Sequence, residues 1–217
     1  MLKVLTLLKT GGIYDSKHVI KIKEMLSKHT KIPYEFVCVT DLKSNEYKTI
    51  ELSSDLEGWF SKMELFKVVG PCLYLDLDTI ITDNIDSIIE NCFNQKTDLI
   101  TLKDPAQLGD FIGSGLMFWN NDLNCIFDTF RNNINQYSDP KFIFSKNKQV
   151  QPFGDQNIIH YILKEYNIPY SFFKEQGKDI VSFKLDLNFG RSFDLEKHKI
   201  VYFHGPPRPW EQHTIEY

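Results

Sequence analysis

Two carboxylates one residue apart are the clearest chemical feature of the sequence. Asp76 and Asp78 follow an apolar run that contains Cys72–Leu75, and the chain becomes apolar again at Ile80. Since side chains alternate along a strand, both carboxylates can point to the same side. Two buried acidic groups repel each other and lose hydration, and a divalent cation with oxygen ligands offsets both costs. The pair indicates either a metal site for a phosphate-bearing ligand or a strand-end turn that caps the next segment.

A histidine follows another apolar run near the end of the chain. The sequence predicts a strand over Ile200–Phe203, and the motif HGPPRPW follows it as His204–Trp210. Imidazole is a common metal ligand, so this second strand end favours the metal interpretation of Asp76 and Asp78. In an open α/β sheet, ligands bind at the carboxyl ends of strands, where both motifs would lie.

Four further side chains are candidates for the same site. Tyr14 follows the first predicted strand and can stack on a base, although covering the top of the core would also explain it. Lys62 lies on a predicted helix before the carboxylate strand, and it matters only if the helix end lies beside the metal site. Asp155 begins another predicted helix, where capping is a sufficient structural reason for a carboxylate. Capping does not explain the neighbouring Gln156.

Alternating strand and helix patterns form the framework that would position these side chains. The runs Lys3–Leu8 and Tyr34–Thr40 are typical of buried strands, and Asp15 or Ser16 between them begins an amphipathic helix. This order predicts a parallel βαβ unit in an α/β protein. Downstream, the sequence predicts helices over Trp59–Val68, with Trp59, Met63 and Phe66 on one face, over Asn84–Cys92 and from Asp155. It predicts strands over Asp98–Leu102, Leu116–Trp119 and Ile180–Phe183. A bulge or tight turn is expected at Gly113–Gly115, and a polar loop over Asp139–Pro152.

The composition is that of a soluble globular protein. The 217 residues are 42% hydrophobic and 25% charged, which supplies a packed interior and argues against disorder. No linker or repeat divides the chain, so one domain is expected. The net charge of −4 and the pI near 5.9 give no basic footprint, which argues against a nucleic-acid partner.

Cysteine usage and the apolar runs bear on the compartment. Cys38, Cys72, Cys92 and Cys125 contain no CxxC pair, which argues against a zinc knuckle or a disulfide framework and favours reduced thiols. The N-terminal residues 1–12 are interrupted too soon for a secretory signal, and no apolar run approaches the roughly 20 residues that span a bilayer. We therefore expect a cytoplasmic protein without a transmembrane segment.

Four motifs resemble those of a known enzyme family, in the same order along the chain. YLDLDT, FIGSGLMFWN, FGDQ and FHGPPRPW resemble the glycogenin-like, family 8 type of glycosyltransferase. That family has an aspartate-any-aspartate motif, an N-S-G segment before an apolar strand, a D-Q pair that opens a helix, and a closing H-G-x-x-K-P-W. The resemblance implies a single GT-A domain over residues 1–217, in which a Rossmann-like mixed sheet is flanked by helices.

The resemblance also implies a donor site. In it, Asp76, Asp78 and His204 would hold a divalent ion, Mn²⁺ or Mg²⁺, which would bind the diphosphate of a nucleotide sugar. Arg208 stands where the family has lysine and would neutralise the same diphosphate, with a planar fork in place of a point donor. The other implied donor-binding residues are Leu7 and Tyr14 around a uracil base, Lys62 near the donor sugar and phosphate, Ser114 and Gly205.

The implied activity is the transfer of a hexose from UDP-glucose or UDP-galactose to a glycan or other hydroxyl acceptor, with retention of anomeric configuration. Bond cleavage builds negative charge on the diphosphate, which a bound cation and Arg208 would stabilise more as the bond breaks. Retention needs either a nucleophile on the opposite face or same-face delivery of the acceptor. Because Gln156 is a poor nucleophile, we favour same-face delivery, with Asp155 and Gln156 orienting donor and acceptor.

Two features leave the substrates open. Gly113 stands where the family has asparagine, which removes an amide that would contact a donor hydroxyl, so the donor sugar is not fixed. The acceptor pocket is expected in variable loops, here Asp139–Pro152 and Glu175–Arg191, and loop sequence does not name a ligand.

Two other interpretations account for parts of the sequence. D-L-D-T after an apolar strand also resembles the haloacid dehalogenase-like phosphatases, but their threonine comes two residues after the second aspartate, whereas Thr79 is adjacent to Asp78. The other is a GT-A module that binds a nucleotide sugar without transferring it, which the Gly113 departure favours. Metal-dependent donor hydrolysis separates transferase from binding module, and hydrolysis of simple phosphate esters identifies a phosphatase.

Overall fold

A mixed seven-stranded sheet forms the centre of the protein. The computed structural model describes residues 1–104, 109–147, 153–187 and 197–211. Its strands are β1 (Leu2–Leu8), β2 (Tyr34–Thr40), β3 (Lys48–Glu51), β4 (Cys72–Leu75), β5 (Ile80–Ile81), β6 (Leu99–Lys103), β7 (Ile112–Trp119), β8 (Tyr170–Phe172), β9 (Ile180–Ser182) and β10 (Ile200–Tyr202). The central sheet has the order β3-β2-β1-β4-β7-β6-β8, and a smaller sheet has the order β5-β10-β9.

Strand direction brings several chain segments to one edge of the central sheet. β1 pairs in parallel with β2 and β4, which confirms the predicted βαβ unit, whereas β7 runs antiparallel between β4 and β6. β1, β4 and β6 therefore point the same way. Their carboxyl ends meet at one edge, and β7 begins at that edge.

Helices cover both faces of the sheet. They are α1 (Ser16–His29), α2 (Asp86–Phe93), α3 (Asn124–Asn132), α4 (Ile134–Tyr137), α5 (Pro140–Asn147) and α6 (Asp155–Glu165), with 3₁₀ helices at Gly58–Lys67 and Pro209–Glu211 and a π-helical turn at Phe183–Leu187. The predicted start of α1 is confirmed, because the Asp15 side chain caps it. Its buried face also follows the prediction, with Val19, Ile22 and Leu26 inside.

Alternating side chains of β4 separate two hydrophobic cores. Cys72 and Tyr74 pack with residues of the Gly58–Lys67 helix, α3 and α6. Leu73 and Leu75 pack with residues of α1 and α2 on the other face. Because the alternation continues past the strand end, Asp76 is expected on the face of Tyr74, beside the Gly58–Lys67 helix.

The segment predicted as an α-helix over Trp59–Val68 is a 3₁₀ helix, and its predicted apolar face is confirmed for Met63 and Phe66 but wrong for Trp59. A 3₁₀ helix has three residues per turn, so Met63 and Phe66 share one side, whereas Trp59, four residues before Met63, does not. Met63 and Phe66 are fully buried, whereas Trp59 is 38% exposed. Trp59 instead lies one turn from Lys62.

The polar loop predicted over Asp139–Pro152 is wrong in its first part, where α5 forms. Asp139 accepts a hydrogen bond from the Lys141 N–H at 2.9 Å, Pro140 suits the first helical position, and Ile143 is fully buried. Residues 148–152 lie outside the described residues. The other predicted acceptor loop, Glu175–Arg191, contains β9 and the π-helical turn, and its residues 188–191 are likewise outside.

Three local features complete the fold. The bulge predicted at the glycine-rich segment is present inside β7, whose pairing with β6 shifts register between Thr101 and Leu102. Of the free cysteines, Cys125 is exposed and the others are buried. Within the described ranges, no helix is both long and apolar enough to cross a membrane.

Candidate active site

A cavity of about 700 Å³ opens at the carboxyl edge of the central sheet. The segments after β1, β4, β6 and β10 line it together with the starts of β7 and α6. Its lining includes every residue that the sequence predicts for metal binding, donor binding or catalysis: Leu7, Tyr14, Lys62, Asp76, Asp78, Ser114, Asp155, Gln156, His204, Gly205 and Arg208. Motifs that are far apart in the sequence therefore meet in one place, while the roles of their residues stay predictions.

Asp78 is buried in the wall of the cavity with 2% of its surface exposed. It accepts a hydrogen bond from the Tyr14 hydroxyl at 2.9 Å and forms an ion pair with Arg208. Burial and the nearby Asp76 carboxylate raise the pKa of Asp78, and Arg208 opposes them. The repulsion expected from the sequence is therefore present, and Arg208 supplies part of the compensating positive charge.

Lys62 bridges two carboxylates that come from different elements. Its Nζ lies 3.0 Å from Asp76 Oδ1, 3.1 Å from Asp155 Oδ2 and 3.4 Å from Ser114 Oγ. Burial acts to lower the pKa of Lys62, but Asp155 and Asp76 more than offset burial and hold the pKa above its usual value. Lys62 is therefore a buried cation beside the carboxylate motif. In the sequence analysis, a role for Lys62 depended on this position.

Asp155 does not cap α6, because Gly154 occupies the N-cap position. Its carboxylate instead accepts a hydrogen bond from Ser114 and pairs with Lys62. Capping, the structural reason offered by the sequence, is therefore wrong for this residue. Contacts across the cavity fix the position of Asp155.

Gln156 is held by a residue to which the sequence analysis gave no role. Its Nε2 donates to Asp104 Oδ2 at 2.7 Å, and Asp104 is 8% exposed. Asp104 comes directly after β6, just as Asp76 comes directly after β4. A carboxylate at a strand end was the signal that could have found it.

Arg208 and Tyr14 bring the two ends of the chain together. Arg208 Nη1 donates to the Tyr14 hydroxyl at 2.9 Å, and the guanidinium carbon lies 5.7 Å from the centre of the tyrosine ring. Burial and the Asp78 carboxylate raise the pKa of Tyr14, which keeps its hydroxyl protonated. Arg208 Nε is buried and has no hydrogen-bond partner among the described residues. The Arg208 side chain lines the cavity and is 18% exposed, so its guanidinium can face an anionic ligand there.

His204 lies on the same cavity, with Nδ1 3.4 Å from Ser182 Oγ. Burial and Lys184 lower the pKa of His204, which favours the neutral imidazole that binds metals. In the part of the chain that the structure describes, no three His, Cys, Asp or Glu side chains form a metal-binding group, so His204 is not clustered with Asp76 and Asp78. Chemically, two mutually repelling carboxylates and a neutral imidazole are donors that fit a divalent cation.

Glycines at three positions in the cavity wall allow the backbone to pack closely or to adopt an unusual conformation. A Cβ on Gly115 would lie 3.3 Å from Asp76 Oδ2, so the glycine leaves room for this carboxylate. A Cβ on Gly113, the departure from the family motif, would lie 3.3 Å from the Cβ of Leu102, so close packing against β6 accounts for glycine there. Gly205 has a φ of +78°, in the region that glycine adopts without strain.

Two aromatic side chains in the cavity wall had no predicted role. Trp59 was assigned to a buried helix face, and Phe153 was only part of the motif before Asp155. Both line the cavity, with ring centres 5.3 Å apart. The 3₁₀ geometry that places Trp59 one turn from Lys62 was not visible in the sequence.

Solved structures of glycosyltransferases have a similar fold. The galactosyltransferase LgtC, in complex with donor and acceptor sugar analogs, gives a TM-score of 0.60 at 12% identity, over 97% of this chain and 90% of that chain. An active-site mutant of LgtC gives 0.58 at 10% identity, over 99% and 91% of the two chains. The apo form of the glycosyltransferase GlyE from Streptococcus pneumoniae TIGR4 gives 0.61 at 17% identity, over 97% and 56%.

At these identities, the structural likeness shows the fold and not the activity. The sequence itself matches no family model and no curated protein. The narrower resemblance to glycogenin-like enzymes stays a prediction. The mixed sheet, the helices on both of its faces and the structural likeness confirm the predicted fold class: the chain has the fold of a GT-A glycosyltransferase domain.

Proposed function

We propose that the protein is a metal-dependent glycosyltransferase that moves a hexose from UDP-glucose or UDP-galactose to a glycan or other hydroxyl acceptor, with retention. One observation carries the proposal: residues of four motifs that resemble one enzyme family line a single cavity of about 700 Å³. The GT-A fold is consistent with it. The volume lies within the range of about 300–1,000 Å³ typical of ligand pockets.

The diphosphate of the donor would lie against Arg208. Arg208 lines the cavity with 18% of its side chain exposed, so its guanidinium can reach a phosphate oxygen there. Cleavage of the sugar–phosphate bond increases the negative charge on the diphosphate, and a fixed guanidinium stabilises that charge more as the bond breaks. A Mn²⁺ or Mg²⁺ ion, when bound, would be held by Asp76 and Asp78 with His204 and would add positive charge at the diphosphate.

The donor sugar would lie beside Lys62, Asp155 and Gln156. Asp155 is oriented by Lys62 and Ser114, and Gln156 is oriented by Asp104, so both side chains are held before substrate binds. In same-face delivery, the acceptor hydroxyl forms its bond to the anomeric carbon as the bond to UDP breaks. Its proton passes to the departing phosphate oxygen. No protein nucleophile is required, which suits an amide at position 156.

Release of UDP from a panel of nucleotide sugars tests this function, measured with Mn²⁺ and with a chelator. We expect metal-dependent release from one hexose donor, and at least a hundredfold loss in Asp78→Asn, because this change removes a carboxylate from the proposed ion and diphosphate site. Asp83→Asn is the matched control, since Asp83 is an exposed carboxylate five residues away and does not line the cavity. It should behave as the parent protein.

Three outcomes would contradict the proposal. Equal UDP release with and without chelator would show that the activity does not depend on a metal ion. Equal loss of release in the Asp78 and Asp83 variants would separate the activity from the cavity. Phosphate release from p-nitrophenyl phosphate, without UDP release from any donor, would favour the phosphatase interpretation.

A further inference from the structure

An aromatic wall borders the cavity beside the charged residues. It consists of Trp59 and Phe153, with Phe60 and Phe144 behind them. The planes of the Trp59 and Phe153 rings meet edge to face at 80°, and the ring centres of Phe153 and Phe144 lie 5.7 Å apart. The ring of Trp59 also packs on that of Phe60, with ring centres 4.0 Å apart. Phe60 stacks on the fully buried Phe130, with ring centres 5.6 Å apart. The hydrophobic core therefore holds the wall in place from behind.

Trp59 is more exposed than the other large apolar residues of its helix. It is 38% exposed, whereas its helix neighbours Met63 and Phe66 are fully buried. Tryptophan contributes the largest apolar surface of any side chain, and leaving it in water forgoes a favourable burial free energy. An exposed large aromatic side chain in a cavity wall is typical of a ligand contact.

Two chain segments place the wall beside the charged residues: the Gly58–Lys67 helix carries Trp59, and the residues just before α6 include Phe153. In the Gly58–Lys67 3₁₀ helix, Trp59 and Lys62 lie on the same side, about 6 Å apart along the axis. Phe153 comes two residues before Asp155, which pairs with Lys62. The wall therefore adjoins the Lys62–Asp155 pair from both chain segments, and no member of it carries charge.

We propose that this wall is an acceptor subsite, where one face of a neutral pyranose ring stacks on the indole of Trp59. This inference rests on the proposed function, in which the donor sugar lies beside Lys62, Asp155 and Gln156 and an acceptor hydroxyl attacks it. The C–H groups on one face of a glucopyranoside or galactopyranoside form an apolar surface that suits an aromatic ring, while its hydroxyls can reach neighbouring polar groups. The wall has no charged group for the diphosphate, whose proposed partner is Arg208. The substrate class assigned to the acceptor is thus a neutral hexopyranoside.

Saturation-transfer NMR with the full chain tests the subsite, in the presence of UDP and diamagnetic Mg²⁺. The probes are the methyl α- and β-glycosides of glucose and galactose, together with lactose, maltose and cellobiose. We expect at least one probe to bind, with affinity reduced at least tenfold in Trp59→Ala and about threefold or less in Trp59→Phe, which keeps an aromatic face. Phe93→Ala is the matched control, because Phe93 is a 41% exposed aromatic side chain on α2 that does not line the cavity.

The outcomes separate failure of the subsite from failure of the proposed function. No binding of any probe to the parent protein, or equal binding to parent and Trp59→Ala, would overturn the subsite. A loss of UDP affinity in Trp59→Ala, with glycoside binding unchanged, would make the wall a base platform and would also overturn it. UDP titration of the parent reports on the donor site alone, so its failure would count against the proposed function whatever the glycosides do. Circular dichroism establishes that Trp59→Ala is folded.

Discussion

At the scale of single residues, ion pairs organise the cavity. Lys62 pairs with Asp76 and Asp155, and Arg208 pairs with Asp78. A buried ion pair adds little stability compared with a well-packed apolar substitute, but the loss of one partner leaves an uncompensated charge inside the protein. Each of these cations is therefore required by the fold as well as by the proposed ligand, and stability and binding have to be measured separately.

Replacement of Lys62 by Met removes the positive partner of Asp76 and Asp155. We expect the free energy of unfolding to fall by about 3 kcal/mol, which is typical of a broken buried pair. Arg131→Met, on α3, is the control, because Arg131 and its partner Asp55, 3.4 Å away, are both exposed. An ion pair between two exposed side chains contributes only about 0–1 kcal/mol. Urea denaturation measures both variants, and equal losses would contradict the proposed importance of the buried pair.

Arg208 is expected to act through both its charge and its planar shape. Arg208→Lys keeps the charge but replaces the fork by a point donor, so UDP affinity should fall by about tenfold or less. Arg208→Met removes the charged hydrogen bonds, and its loss should be about a hundredfold. Calorimetric titration with UDP and Mn²⁺ measures both. A Met variant that binds UDP as tightly as the parent would show that Arg208 does not contact the diphosphate.

The residues of this cavity are predictable from the sequence mainly through motifs. One motif, FGDQ, contains both Asp155 and Gln156, but their partners Ser114 and Asp104 lie 41 and 52 residues away. No local periodicity encodes such a distant contact. Asp104 lies outside every motif and was therefore missed, whereas Ser114 was named only because a motif contained it.

At the scale of elements, the close approach of β7 to β4 positions Asp76. The Asp76 N–H donates to the Gly115 carbonyl at 2.9 Å, and the absence of a side chain on Gly115 leaves room for the carboxylate. This contact joins the carboxylate motif to the glycine-rich motif. Because β4 and β7 are antiparallel, β4 ends at the site whereas β7 begins there.

Gly115→Ala tests this contact. Its Cβ would lie 3.3 Å from Asp76 Oδ2, so we expect the carboxylate to be displaced. Metal-dependent UDP release should fall about tenfold or more, while the free energy of unfolding should fall by only about 1 kcal/mol. Activity and urea denaturation are measured on the same preparation. Unchanged UDP release would show that the site does not depend on this position of Asp76.

Elements with a strong period were predictable, and elements with an ambiguous one were not. β1, α1 and β2 have clean apolar patterns, and the structure places them close to the predicted bounds. Over the ten residues Gly58–Lys67, a period of 3.0 and one of 3.6 are hardly distinguishable, because the segment is short and half of its residues are apolar. In α5, a single fully buried residue, Ile143, anchors a segment whose polar composition favoured a loop.

At the scale of the whole molecule, a buried histidine that does not line the cavity sets part of the response to acid. His160 on α6 is 5% exposed and packs against Phe111 and Tyr170. Burial, with a smaller effect from Lys164, lowers the pKa of His160 to about 4. In the unfolded chain its pKa is about 6.5. The unfolded state therefore takes up the proton first as the pH falls.

It follows that the stability contributed by neutral His160 is complete above about pH 6.5 and is lost as the pH falls toward 4. Between pH 7 and pH 5, this loss is about 2 kcal/mol. His160→Gln keeps a polar side chain of similar size without the titration. We expect its free energy of unfolding to decrease less over this pH range, by about that amount. Urea denaturation at both pH values measures the difference, and parallel decreases in parent and variant would contradict the assignment.

The central claim is that the cavity at the sheet edge binds a uridine diphosphate sugar through a divalent ion. Calorimetric titration with UDP, in Mn²⁺ and in chelator, tests it most directly on the parent protein and Asp78→Asn. The account predicts binding to the parent that requires Mn²⁺ and is weakened about a hundredfold in Asp78→Asn. Binding that is indifferent to both changes, or no binding of UDP by the parent in Mn²⁺, would contradict it.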